Sequence, residues 1–203
     1  HPWLRGRNIK RWQTEWDGKY LIAIQNSDDE GVHHPWAKAS TEAEAQRVFQ
    51  KTYPAIYEHL IQYEDHLRKR WDQGKYWWEL RACAYYEGFA KSKIVYQEIA
   101  TYQAFAFTQE PYFLNNKCFF VPTDDLCLLA LLNSNVVWFF LGHVVSKLQR
   151  NAYAMQSPYI EQIPIPHPTP DQRAAIEGLV RHLLDARGQG PQVAAWEAEL
   201  NAL

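Results

Sequence analysis

The chain has 203 residues, is 47% hydrophobic and 22% charged, and carries a formal net charge of −2 at pH 7. These totals exclude intrinsic disorder, allow a substantial buried core, and argue against a generic nucleic-acid sponge, which would need a strong positive excess. Three cysteines, Cys83, Cys118 and Cys127, form no even disulfide set and no C-x-x-C pair, so a reducing, cytoplasmic location is expected.

In chain order, His1-Pro2-Trp3-Leu4-Arg5 has no initiator methionine and starts within a motif, which leads us to expect a piece of a longer chain. Residues 1–12 hold Arg5, Arg7, Lys10 and Arg11 and no acid. Gly6 would let the backbone approach a partner closely, and guanidinium groups on either side could take phosphate oxygens or a guanine edge. A solvated basic turn accounts for the same pattern. Lys19–Ile24 reads as a strand and Gln25–Gly31 as an exposed loop. Thr41 and Glu44 make a capping box for a helix to Lys51, and Pro54 opens a second helix. Ile56, Leu60, Tyr63 and Leu67 recur along that helix at helical spacing until Gly74 stops it.

The segment Trp71–Tyr96 interleaves aromatic residues, Trp78 among them, with Lys75, Arg81, Lys91 and Lys93. Bases offer flat faces to aromatic rings and phosphates attract cations, so the pattern suits nucleic acid. Core packing with cations reaching out to water is the competing reading. Lys93–Ile99, Gln103–Phe107 and Lys117–Val121 read as strands, with turns at Glu110-Pro111 and Asn115-Asn116. The longest apolar run, Leu126–Val145, is interrupted by Asn133, Ser134, Asn135, Gly142 and His143, and predicts two short buried helices rather than a membrane span. Five prolines within residues 158–170 favour extended backbone and mark a boundary. Beyond it, Asp171–Arg187 and Gln192–Leu203 predict a helical hairpin able to dock on a partner domain. The expected fold is α+β, a mixed or antiparallel sheet with packed helices, divided into a domain of residues 1–170 and a hairpin of residues 171–203.

Each candidate for chemistry lacks a part. His59 and His66 sit seven apart on one predicted helix, about 10 Å, too far to share an ion. Asp17-Gly18-Lys19 looks like half of a metal-dependent nuclease site, but the second acid that would hold the metal is missing. Ser157-Pro158-Tyr159 lacks the second proline of the amino-methyltransferase loop, and no glycine-rich loop follows a predicted strand. Catalytic residues, metal ligands and a cofactor site are therefore not expected in this chain.

Five segments in series carry a family resemblance: Leu4-Arg5-Gly6-Arg7-Asn8-Ile9-Lys10-Arg11-Trp12, Trp77-Trp78-Glu79-Leu80-Arg81, Lys93-Ile94-Val95-Tyr96-Gln97-Glu98-Ile99, Leu128-Leu129-Ala130-Leu131-Leu132-Asn133-Ser134, and Tyr159-Ile160-Glu161-Gln162-Ile163-Pro164-Ile165-Pro166. Together they resemble the TaqI-like C-terminal specificity domain of bacterial N6-adenine methyltransferases and combined restriction-methylation enzymes. Departures are Asn8, where the family often has Asp, and Ser92 and Gln97, where it often has Pro. The resemblance implies a non-catalytic domain that reads double-stranded DNA, with S-adenosylmethionine and the flipped adenine held by a catalytic methyltransferase domain elsewhere in the parent chain. It matches Arg5, Arg7, Lys10 and Arg11 to the opening motif and Trp78, Arg81 and Lys93 to the central segments. With Lys75 and Lys91 from the aromatic belt, these are the expected DNA contacts; a structural pair between Glu79 and Arg81 is the competing reading for the centre. The rival functions are a small nuclease using Asp17 and Lys19, and a protein-interaction module.

Overall fold

The computed structural model describes residues 1–203. The chain divides into two compact units, one formed by His1–Leu21 with Glu87–Leu203 and the other by Ile22–Tyr86.

In the first unit, β1 (Trp3–Leu4) pairs in parallel with β5 (Phe113–Leu114). The main sheet is antiparallel and has three strands, with β2 (Lys93–Gln97) between β4 (Phe105–Thr108) and β6 (Cys118–Pro122). A small ladder joins β3 (Ile99–Ala100) to β7 (Tyr153–Ala154). One face of β2 sends Ile94 and Tyr96 into a core with Phe105, Leu129, Leu141 and Val180, while Val95 packs on Ile9 and Ala106. Both faces of the strand are covered, which is why its sequence shows an unbroken run instead of polar alternation. Each fully buried Ile or Leu contributes about 1.5–3 kcal/mol.

The interrupted apolar run forms the two predicted helices, α4 (Leu126–Leu132) and α5 (Asn135–Val144), which meet at a bend of 59°. The Asp125 carboxylate accepts from the Cys127 and Leu128 amides, and the Ser134 hydroxyl accepts from the Val137 amide, so each helix start has its cap. Asn133, buried at the bend, pins the helices to the sheet: its amide donates to the Phe105 carbonyl (2.9 Å) and its carbonyl accepts from the Phe105 N–H (3.2 Å). No single helix is long and apolar enough to cross a membrane.

Against the expected extended backbone, residues Ser157–Ile160 make a single helical turn, α6. Pro158 fits there because the first turn leaves its backbone donors unpaired in any case. The hairpin of α7 (Pro170–Asp185) and α8 (Val193–Leu200) is present, with Thr169 and Gln172 closing a capping box. Val180 and Leu183 of α7 bury in the same core as the sheet, within the unit formed by His1–Leu21 and Glu87–Leu203.

The second unit holds α1 (Glu42–Thr52), α2 (Pro54–Ile61) and α3 (Glu64–Arg68). The single helix expected from Pro54 to Gly74 is broken at Tyr63, where ψ is 7°. The apolar stripe resumes in phase after the break, since Ile56, Leu60 and Leu67 all pack against the Trp36, Phe49, Trp77 and Trp78 cluster, and periodicity therefore cannot register it. The strand expected at Lys19–Ile24 is also absent: Tyr20 alone forms a bridge, to Pro2, and the run is split between the two units.

At the centre of the second unit, the fully buried Glu79 carboxylate accepts from the Ser27 amide (3.0 Å), the Ser27 hydroxyl, the Trp36 indole N–H (2.8 Å) and the Tyr76 amide (3.3 Å). Glu79 therefore has no pairing with Arg81, which faces Asp72 at 4.0 Å.

Candidate nucleic-acid interface

The opening basic motif is built around Asn8. Its side chain accepts from the Arg5 amide (2.9 Å) and donates to the Glu15 carbonyl (2.8 Å), closing the 3-10 turn Gly6–Asn8. Gly6 does make a close approach, but to the chain itself: a Cβ there would stand 3.3 Å from the Lys117 carbonyl oxygen. Gln97, a departure from the family pattern, donates to the Ile9 carbonyl at 2.7 Å and ties the motif to β2.

The four cations of this motif have different surroundings. Arg5 and Arg7 both donate to Asp17. Burial would raise the Asp17 carboxyl, but the bonds from Arg7 and Arg5 outweigh it and hold the group below its ordinary value. Arg7 remains 68% exposed and can turn to a ligand. Arg11 points inward, donating to the Asn133 carbonyl (2.7 Å) and pairing with Glu197 (3.1 Å). Trp12, at φ 71°, donates its indole N–H to the same Glu197 at 2.6 Å. Arg11 and Trp12 thus hold the C-terminal hairpin through Glu197. Lys10 is partly exposed and has no charged partner.

The central candidates also separate. Trp78 is buried, with its ring stacked on Tyr76 (4.8 Å) and Phe49 (5.2 Å). Lys93 is fully buried at the start of β2, and its ammonium donates to the carbonyls of Phe89 (2.8 Å), Lys91 (3.1 Å) and Glu110 (2.8 Å). Burial pushes it down to about 8, against a smaller raising effect from Glu110. The expectation that Trp78 and Lys93 touch DNA is therefore corrected: neither has surface to offer, and both hold the fold. Lys75 is exposed but paired with Asp28 at 3.0 Å. Arg81 and Lys91 are exposed, Arg81 loosely paired with Asp72 and Lys91 without an ionic partner.

The sequence reading passed over a tip between α5 and β7. Lys147 bridges Tyr153, and the Leu148 amide donates to the Ala152 carbonyl at 2.7 Å, so residues 147–153 fold back as a narrow loop. Arg150 (φ 61°) and Asn151 (φ 56°) take the left-handed conformation at its end. That region suits Asn but is uncommon for Arg, a sign that the loop's closure dictates it. Lys147, Gln149, Arg150 and Asn151 are exposed, and their side chains bond to nothing in the chain. The signal was there: a polar run of Lys, Gln, Arg and Asn directly after an apolar helix.

Nothing in the chain gathers three or more His, Cys, Asp or Glu side chains in a metal-holding group. Asp17, the proposed nuclease acid, is occupied by two arginines. A different surface lies on α5, where Phe139 is 70% and Val136 is 66% exposed beside an apolar hollow of about 300 Å³ floored by Leu131, Phe140 and Pro164.

Residues 1–165 match the family described as TaqI-like C-terminal specificity domain. The type II methyltransferase M.MjaIV of Methanocaldococcus jannaschii is 20% identical over 215 residues, spanning 98% of this chain and 64% of that protein. Among solved structures, the Type IIL restriction-modification enzyme MmeI, determined in complex with DNA, superposes with a TM-score of 0.52 at 13% identity over 79% of this chain and 22% of its own. The chain thus spans about two thirds of the curated relative and about a fifth of the structural one, and the likeness to MmeI is one of fold. The chain belongs to the family of TaqI-like C-terminal specificity domains.

Proposed function

We propose that this chain is the DNA target-recognition domain of a restriction-modification adenine methyltransferase, and that it reads sequence while methyl transfer takes place in another domain of the same longer polypeptide. The observation that carries this reading is the 147–151 tip, where two cations and two amides stand clear of the fold with no internal partner. Arg150 is suited to the O6 and N7 acceptors of guanine, Gln149 and Asn151 to the edge of adenine, and Lys147 to phosphate. Lys10, Lys91 and Arg7 add backbone contacts.

S-adenosylmethionine is assigned to the other domain because no glycine occurs between Gly88 and Gly142, the stretch that holds β2 to β6, and so no strand there runs into a glycine-rich cofactor turn. We assign the seat of the catalytic domain to the α5 face around Phe139. The apolar residues of α7 are already used inside the unit, whereas Val136 and Phe139 are uncovered and the relatives extend well beyond this domain.

Binding of the chain to its target duplex across a salt series tests the reading. Replacing Lys147 and Arg150 together by alanine should flatten the slope of log K against log salt by about 1–2 and reduce discrimination between sequences. Unchanged slope and unchanged discrimination would remove the tip from the DNA face.

A further inference from the structure

The second unit carries an aromatic side chain that the fold does not use. Trp71 is 99% exposed, in a chain whose Trp12, Trp36, Trp77 and Trp78 are all buried. Full exposure of an indole forfeits a large hydrophobic contribution, so an unattached, mobile Trp would be unremarkable, but a rigidly presented one calls for an occupant.

The backbone around Trp71 is fastened on both sides. The Arg70 guanidinium donates to the carbonyls of Leu67 (3.2 Å), Trp77 (2.7 Å) and Glu79 (2.8 Å). The Gln73 side-chain amide donates to the carbonyls of Arg68 (2.7 Å) and Arg70 (2.6 Å). Gly74 closes the turn where no side chain fits, since a Cβ would lie 2.5 Å from the Leu80 carbonyl oxygen. The bend at Trp71 and Asp72 is thereby held while the indole points into water.

The surroundings decide between partners. A protein hot spot sits within an apolar surround that excludes water. Trp71 is flanked in the chain by Lys69, Arg70, Asp72 and Gln73, and Lys69 is exposed without an ionic partner. An isolated aromatic ring two residues along the chain from an unpaired cation matches a base face with a nearby phosphate.

We propose that Trp71 stacks on a nucleobase of the bound DNA, as a sequence-tolerant anchor separate from the reading tip. This rests on the DNA-recognition reading above. Affinity is measured for the wild type, Trp71→Ala and Trp71→Phe on a fully paired duplex and on the same duplex with one unpaired base, across a salt series. Trp71→Ala should weaken binding by about 5- to 100-fold with an unchanged salt slope, because a stacking residue displaces no counterions. Trp71→Phe should recover most of the affinity. Loss on both duplexes assigns the contact to a base step, and loss on the unpaired duplex alone assigns it to an extruded base. Acrylamide quenching of the Trp71 contribution should fall when DNA is added. Equal affinities of wild type and Trp71→Ala, or quenching unaffected by DNA, would overturn the assignment while wild-type binding leaves the DNA reading standing. A wild type that binds neither duplex at low salt would overturn both.

Discussion

Replacing Glu79 by alanine should unfold the Ile22–Tyr86 unit and leave the larger unit intact. The substitution removes the acceptor of three buried or partly buried N–H groups, those of Ser27, Tyr76 and the Trp36 indole. A buried donor left without a partner costs about 1–3 kcal/mol, giving about 3–9 kcal/mol for the three. Relief of the carboxylate's own desolvation offsets part of that. A unit of roughly 65 residues has a total stability of about 3–10 kcal/mol, so the loss is comparable with the whole. Glu79→Gln keeps one acceptor oxygen but turns an NH2 group towards the remaining donors, and should lose about half as much. Hydrogen exchange resolved by segment reads the outcome: amides of residues 22–86 should exchange fast in Glu79→Ala while those of β2, β4 and β6 stay protected. Full protection of residues 22–86 in that variant would refute the assignment of Glu79 as the centre of the unit.

Two further outcomes follow from the larger unit. The Lys93 ammonium titrates near 8 when folded and near 10.4 when unfolded, so the unfolded chain holds more protons between those values. Its contribution to stability is present above about pH 10.4 and is lost as pH falls through about 8, amounting to about 3 kcal/mol. Urea unfolding of wild type and Lys93→Met at pH 7.5 and pH 10 should show the wild type gaining on the variant at the higher pH, and parallel behaviour would contradict this. On α5, Phe139→Asp should weaken association with a separately added catalytic domain without changing the thermal midpoint of this chain by more than a degree or two, because the Phe139 ring is largely in solvent. A large drop in the midpoint would show instead that Phe139 supports the fold.

The elements with strong local signals were legible in the sequence. The interruption at Asn133, Ser134 and Asn135 divides α4 from α5, the turns at Glu110-Pro111 and Asn115-Asn116 separate the strands, and Thr41 starts α1. What stayed hidden depends on contacts distant in sequence. Charge marks Arg11 and Lys93 as surface residues; their burial follows from Glu197 and Asn133 in one case and from the carbonyls of Phe89 and Glu110 in the other. The aromatic belt combined two unlike populations, a packed cluster of Tyr76, Trp77 and Trp78 and a solitary Trp71, which composition cannot separate. The 147–151 tip shows in the sequence only as a polar run after an apolar helix; its closed shape, with positive φ at Arg150 and Asn151, is a property of loop closure that residue type alone does not fix.

The side chains of that tip support nothing: Lys147, Gln149, Arg150 and Asn151 contribute no hydrogen bond and no core contact to the folded state. Substitutions there fall in the class that changes stability by less than about 0.5 kcal/mol, provided the left-handed positions are respected. Substitution within the tip therefore costs folding almost nothing, whereas substitution of Asn8, Glu79 or Asn133 breaks the bonds that each makes. With the tip as the proposed reader, this arrangement decouples evolvability from robustness: preference for one sequence over another would shift by single steps, each on a scaffold that stays folded.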